Sequence, residues 1–185
     1  MGFTETIIPG VYIFEPKVIA DERGYFFESY SRRSFEEAGI KADFVQDNQS
    51  LSQKNTVRGL HGQAPPHAQG KLVRVVQGAV LDVAVDIRKG SPTYGRHVSV
   101  ELSADNKKQL WVPPGCLHGF STLRDNTILV YKISGGLYNK DAEIGALWND
   151  PELAIGWGVN EKDVILSAKD QAQPSFASFN STFNF

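Results

Sequence analysis

Strict alternation of apolar and polar positions is the strongest regular signal in the chain, and its period is that of a strand. Val11-Tyr12-Ile13-Phe14, Gly24 to Tyr30, Leu72 to Val76, Ala79 to Ile87, His97 to Leu102, Gln109 to Val112 and Thr127 to Ile133 are rich in Val, Ile, Phe and Tyr. Gly, Pro, Asn or Asp bounds most of these runs and predicts where each strand ends. Between Ala79 and Ile87 the alternation sorts Ala79, Leu81, Val83, Val85 and Ile87 onto one face, and Val80, Asp82, Ala84 and Asp86 onto the other. The first face is apolar throughout and has to meet a core. The second carries two carboxylates, so it meets either solvent or a polar cavity.

Helical periodicity is scarce. Ser34-Phe35-Glu36-Glu37-Ala38-Gly39 predicts a short helix with acids near its start and glycine as its stop. A second short helix is expected between Glu161 and Asp170. The stretches 89–95 and 112–115 read as turns, and there is no internal repeat. Residues 171–185 mix Ser, Asn and Phe, a tail that either packs on the body or a partner chain or frays. The whole predicts a mainly β fold, a sandwich or barrel with a few short peripheral helices. We expect a single domain over 1–185, with 171–185 as a C-terminal tail. A barrel of this size can enclose one small-ligand cavity.

Composition narrows the function classes. A chain of 185 residues can bury a real core without covalent staples. The formal charge of -2, with no run of Lys or Arg, argues against a nucleic-acid surface. The single cysteine, Cys116, can form no intramolecular disulfide and no Cys cluster for zinc, which fits a reducing compartment. The first residues lack the basic-then-apolar pattern of a signal peptide. No apolar run approaches the roughly 20 residues of a membrane span. The expected location is therefore cytoplasmic, with no membrane partner.

The candidate chemistry sits on stiff Gly/Pro-rich segments. Arg58-Gly59-Leu60-His61-Gly62-Gln63-Ala64-Pro65-Pro66, followed by Lys71, brings together a guanidinium, an imidazole and an ammonium. His61 is a candidate general base, and Asp170 a candidate to orient it. Alternation puts Lys71 on the face of Val73 and Val75. If that face is interior, Lys71 is a buried cation suited to a developing oxyanion, and Asp82 on a neighbouring strand is a candidate to hold it. Tyr131 is either a core aromatic or a general acid opposite His61. Arg23, beside Gly24, and Arg58 have the fork geometry to clamp a pyrophosphate, although Arg23 equally suits a solvated hairpin. Gln46-Asp47-Asn48 offers amide and carboxylate groups for a pyrimidine edge. Pro113 to Phe120 forms a second rigid corner bearing His118. With His61 it invites a metal reading, but the first corner reads His-x-Gln, so Gln63 stands where a metal site would want a second histidine.

In combination these motifs are similar to those of the deoxythymidine-diphosphate-4-dehydrorhamnose 3,5-epimerase family of the cupin superfamily. The carrying motifs are Asp21 to Glu28, Gln46-Asp47-Asn48, Arg58 to Gln63, Lys71 to Val75, Asp86-Ile87-Arg88, Pro114 to Phe120, Trp148 to Pro151 and Ser167 to Asp170. They occur in the family's order from about Phe3 to Asp170. The resemblance implies a cupin-type jelly-roll β-barrel, a homodimer, and no metal or organic cofactor. It implies action at C3 and C5 of dTDP-4-keto-6-deoxyglucose. His61 then matches the base with Asp170 its orienting partner, Tyr131 the acid, and Lys71 the enolate stabiliser. Arg58 and Arg23 match pyrophosphate contacts, with Arg23 expected to act across a dimer. Glu28, Gln46, Asp47 and Asn48 match nucleotide-contacting positions, and His118, Glu143 and Lys169 further pocket positions. One segment departs from the pattern. Ser134 to Asn139 has one extra residue and a single aromatic, which leaves either Tyr138 or Leu137 at the base-stacking position. Three other readings stay open: a single-carbon epimerase, a metal-dependent cupin enzyme, and a nucleotide-sugar-binding cupin without catalysis.

Overall fold

The run that begins at Ala79 is buried on both faces, and this decides the architecture. Val80 and Ala84 join a core with Val73, Leu110, Leu129 and Phe120. Val83, Val85 and Ile87 join another with Leu117, Trp148, Trp157 and Phe176. The apolar face meets a core as expected. The carboxylate-bearing face meets the other core and a polar cavity within it, not solvent.

The computed structural model describes residues 2–185. In chain order its strands are β1 (Gly2–Glu5), β2 (Tyr12–Glu15), β3 (Ile19–Asp21), β4 (Gly24–Phe26), β5 (Phe44–Ser52), β6 (Val57–Gln63), β7 (Gln69–Gln77), β8 (Ala79–Asp86), β9 (His97–Ser103), β10 (Gln109–Val112), β11 (Cys116–Thr122), β12 (Thr127–Gly135) and β13 (Glu143–Gly145). A six-stranded sheet runs β1-β2-β10-β7-β12-β5 and a five-stranded sheet runs β13-β6-β11-β8-β9. β3 and β4 form a separate hairpin. The two large sheets face each other across the first core, to which β7, β10 and β12 contribute from one side and β8, β9 and β11 from the other. The expected barrel is thus realised as two facing sheets of jelly-roll kind, without a closed ring of hydrogen-bonded strands. Each fully buried Val, Leu or Ile side chain in such a core stabilises the fold by roughly 1.5–3 kcal/mol relative to exposure.

The C-terminal segment covers the outer face of the five-stranded sheet. Phe176 is buried, and Phe179 and Phe183 pack beside it on the second core. Lys89 and the chain end exchange backbone hydrogen bonds: Lys89 N–H donates to Phe183 at 2.9 Å and Phe185 N–H to Lys89 at 3.0 Å. Asp86, fully buried, anchors this region. It accepts hydrogen bonds from Arg88 at 2.8 and 2.9 Å, and from Ser91 and Thr93 at 2.6 Å each. A buried charge with all its oxygens satisfied is tolerated, and Arg88 in turn stacks over the Phe185 ring.

The elements differ from expectation in instructive places. Gly24 to Tyr30 is extended only to Phe26. The helix α1 (Arg32–Glu37) starts earlier than predicted, so Glu36 and Glu37 fall in its last turn, and Gly39, at φ +80°, stops it. The second predicted helix divides into a 3-10 turn (Glu161–Asp163) and the short α2 (Ala168–Gln171). The two glycine-rich corners are strands, β6 and β11. They approach so closely that a Cβ on Gly59 would stand 2.5 Å from the Gly119 Cα. Glycine here permits a close strand contact.

Candidate active site

β6 and β11 pair with His118 opposite His61 and Phe120 opposite Arg58, which leaves one extra residue on β6 between Arg58 and His61. This bulge has a functional consequence. Residues three apart on a regular strand face opposite ways, but the extra residue restores the phase. Val57 and Leu60 both turn outward into the second core, while Arg58 and His61 both turn inward to line the same cavity.

That cavity has two connected lobes, of about 300 and 240 Å³, which share His61, Lys71, Tyr131 and Lys169. His61 stands on the five-stranded sheet. Lys71, on β7, and Tyr131, on β12, stand on the facing six-stranded sheet. The Lys71 ammonium lies 6.0 Å from the Tyr131 ring centre. An imidazole and a phenol therefore line the cavity from opposite sheets, with a cation beside the phenol.

His61 Nε2 lies 2.5 Å from Asp170 Oδ1. Asp170 is buried, and its other oxygen accepts the Ser167 hydroxyl at 2.7 Å. Burial would push this carboxyl up, but the hydrogen bonds from His61 and Ser167 outweigh it and hold Asp170 below the ordinary carboxylate range. A carboxylate at this distance orients the imidazole and favours a proton on the nitrogen that faces it. α2 exists to place it: Ser167 caps the helix by accepting the Asp170 N–H at 3.1 Å.

Lys71 points inward with Val73 and Val75, as alternation predicted. Burial pushes its ammonium down to about 8, opposed by the fields of Asp82 and Glu143 and reinforced by that of Lys169. Asp82 is fully buried, and its direct partner is His118, whose Nε2 lies 2.9 Å from Asp82 Oδ1. It supports Lys71 through its field, without a direct ion pair. Among the described residues Arg58 binds only neutral groups, the Ser52 hydroxyl at 3.1 Å and the Leu51 carbonyl at 3.3 Å. Its charge is left to meet an anion.

The nucleotide-type candidates divide. Gln46 and Asn48 point inward from β5 and are hydrogen-bonded to each other at 2.9 Å. Asp47, between them, points outward and pairs with Lys132 at 3.0 Å in a separate surface cavity. Tyr138 lines the cavity mouth and Leu137 does not. The Tyr138 hydroxyl donates to Glu143 at 3.3 Å, and Glu143 is ion-paired with Lys169. Arg23 stands apart on the β3–β4 hairpin, exposed and bound to Asp21, and Glu28 is exposed beyond it. The structure also brings in groups that sequence reading missed. Ser50 Oγ is buried in the cavity wall with no hydrogen-bond partner among the described residues, and Ser167 supports Asp170. The polar alternation Gln46, Asn48, Ser50, Ser52 was the signal that could have found Ser50.

A metal site finds little support in the donors. His61 and His118 each present Nε2 to a single carboxylate. Gln63, at the position of a would-be ligand, accepts the Asn139 N–H at 2.9 Å. Among the described residues no three His, Cys, Asp or Glu side chains group to hold an ion.

Known proteins match the chain along nearly its whole length. A sequence profile described as dTDP-4-dehydrorhamnose 3,5-epimerase matches residues 5–178. The dTDP-4-dehydrorhamnose 3,5-epimerase of Shigella flexneri is 55% identical over 171 residues, covering 92% of this chain and 93% of the relative. The crystal structure of the corresponding Elizabethkingia anophelis enzyme superposes with a TM-score of 0.93 at 46% identity, covering 97% of this chain and 98% of the other. A Legionella pneumophila 3,5-epimerase, solved with dTDP-4-keto-L-rhamnose, superposes with a TM-score of 0.91 at 46% identity, covering 97% and 94%.

Proposed function

This chain belongs to the dTDP-4-dehydrorhamnose 3,5-epimerase family, an isomerase family, and from that footing we propose how its cavity inverts two carbons of a nucleotide sugar. The substrate is dTDP-4-keto-6-deoxyglucose and the product dTDP-4-keto-L-rhamnose, the ligand of the Legionella relative. The observation that carries the mechanism is the placement of His61 and Tyr131 on opposite sheets, with Lys71 beside Tyr131.

C3 and C5 both flank the C4 ketone, so loss of either proton yields an enolate. His61 removes the proton from one face. The bonding pair moves into the ring and raises negative charge on the C4 oxygen, which the Lys71 ammonium stabilises. Tyr131 delivers a proton to the opposite face of the same carbon, and the configuration inverts. The imidazolium and phenolate then exchange protons with water, so no atom is gained or lost. Asp170 steadies the imidazolium, and His118, held by Asp82, lines the same wall. Arg58 receives the pyrophosphate. Gln46, Asn48 and Tyr138 meet the thymidine end, with Glu143 and Lys169 at the mouth.

The exposed residues fit a homodimer. The β3–β4 hairpin leaves Ile19, Tyr25 and Phe26 between 57 and 68% exposed, and the edge strand β5 leaves Val45 and Leu51 more than half exposed. Apolar surface of this kind favours a partner. In a dimer, the hairpin would carry Arg23, the segment after it Glu28, and the outer β5 face Asp47, toward a second copy. The reaction needs no redox or organic cofactor, and the donor set supports a metal-free site. Cys116 is buried as a free thiol, which fits the reducing compartment we propose for this enzyme, and among the described residues no helix is long and apolar enough to cross a membrane.

Purified protein should convert dTDP-4-keto-6-deoxyglucose to the L-configured product at an unchanged rate after exhaustive chelation, on a particle of twice 20.4 kDa. Loss of turnover on chelation, restored by one metal, would replace this mechanism with a metal-dependent one.

A further inference from the structure

The loop that carries Tyr138 is held by polar side chains that the proton transfers do not use. Gln63, two residues beyond His61 on β6, is 6% exposed, and its Oε1 accepts the Asn139 N–H at 2.9 Å. The Asn139 side-chain amide meets His67 Nε2 at 3.0 Å. Gln69 Nε2 donates to the Gly136 carbonyl at 2.8 Å, and the Gly136 N–H donates to the Ala68 carbonyl at 3.0 Å. The loop lies directly on the 67–69 backbone: a Cβ on Gly136 would stand 2.6 Å from the His67 Cα.

Apolar burial does not fix this loop. Leu137 and Tyr138 are 67 and 58% exposed, so their side chains contribute little packing. Its position therefore depends on the hydrogen bonds made from below. Of these, the bond to Gln63 is the one made by a buried side chain. Loss of that acceptor would strand the Asn139 N–H and release the segment bearing Tyr138. A ligand that needs Tyr138 would then have to order the loop as it binds, which weakens affinity.

We propose that Gln63 is a positioning residue for nucleotide binding. It fixes Asn139, so that Tyr138 is presented to the base, and it governs affinity without taking part in proton transfer. This rests on the reading of Tyr138 as the base contact given above. It also gives a use to the one residue of the His-x-Gln corner that the epimerisation leaves idle.

The test is a double-mutant comparison with dTDP as the probe, read by calorimetry alongside kcat and KM. Gln63→Leu should raise the Kd of dTDP and the KM about tenfold, in line with the worth of one such hydrogen bond, with kcat within about twofold of wild type. Gln63→Glu, which retains an acceptor oxygen, should recover most of the affinity. In a Tyr138→Ala background, Gln63→Leu should add no further loss. An equal loss with and without Tyr138, a loss confined to kcat, or no loss at all would overturn the proposal. If Tyr138→Ala alone leaves dTDP affinity unchanged, the reading of Tyr138 fails and the proposal with it. If Tyr138→Ala weakens binding and Gln63→Leu does not, only the role of Gln63 fails. The wild-type protein supplies a check that needs no variant. The Asn139 amide should exchange with solvent deuterium far more slowly than an open loop, and free exchange there would equally overturn the claim.

Discussion

Alanine at His61 is expected to lower kcat by between about 10² and 10⁴-fold, the usual worth of a general base, with the fold intact. His61 contributes to none of the apolar clusters, and a quarter of its side chain is exposed. Its removal leaves Asp170 with the Ser167 hydroxyl and the Gly59 N–H as partners. The carboxylate stays hydrogen-bonded, so thermal melting should shift little. The counterpart variant, Tyr131→Phe, separates the two proton transfers. It keeps the base, so substrate should still exchange its acidic proton with solvent on the His61 face. It lacks the acid, so product of inverted configuration should fall by a comparable factor. Steady-state rates and solvent exchange measured on melting-checked proteins decide the matter. His61→Ala within tenfold of wild type would remove His61 from the mechanism.

Lys71→Met is expected to gain stability and lose activity together. Burial lowers the Lys71 ammonium from an ordinary value near 10.5 to about 8. The folded state therefore holds this proton less tightly than the unfolded chain does. Its charge is a destabilising feature that is fully present below about pH 8 and relieved as pH rises from there toward 10.5. At pH 7 the methionine variant should be more stable by up to about 3 kcal/mol, since each tenfold loss of proton affinity on folding is worth roughly 1.4 kcal/mol. The advantage should shrink across the same alkaline range. Activity should move the other way, with kcat falling by about 10² to 10³-fold, the typical cost of removing one oxyanion donor. In the wild-type enzyme, kcat/KM should decline as pH rises through about 8, because the ammonium form stabilises the enolate. Denaturation curves and rate profiles over pH 6–10 test both halves. A flat profile to pH 10, or a destabilised methionine variant, would show that Lys71 has a structural role instead.

The parts of this arrangement that follow simple alternation were legible in the sequence. β8 showed its apolar face, and Lys71 shared a face with Val73 and Val75, which made it interior on the condition that those valines were. The rest was hidden for physical reasons. β5 turns Gln46, Asn48, Ser50 and Ser52 inward because its half of the interior is a polar cavity, so the usual apolar mark of a buried face is missing. β6 and β11 carry glycines that read as rigid corners but serve close strand packing. The bulge that brings Arg58 and His61 onto one face depends on the partner strand and has no local signature. The motif Gln46-Asp47-Asn48 suggested three groups at one site, whereas strand pleating sends Asp47 to the opposite face. The Asp170–His61 pair spans more than a hundred residues and depends on the packing of α2 against β6, which no local pattern encodes.

Two-faced proton transfer at both carbons flanking C4 is the central claim, and isotope incorporation tests it most directly. Turnover of dTDP-4-keto-6-deoxyglucose in deuterium oxide should give product carrying deuterium at both C3 and C5, read by proton NMR and mass. Deuterium at C3 alone would make this a single-carbon epimerase, and product formed with no deuterium at either position would contradict the enolate mechanism altogether.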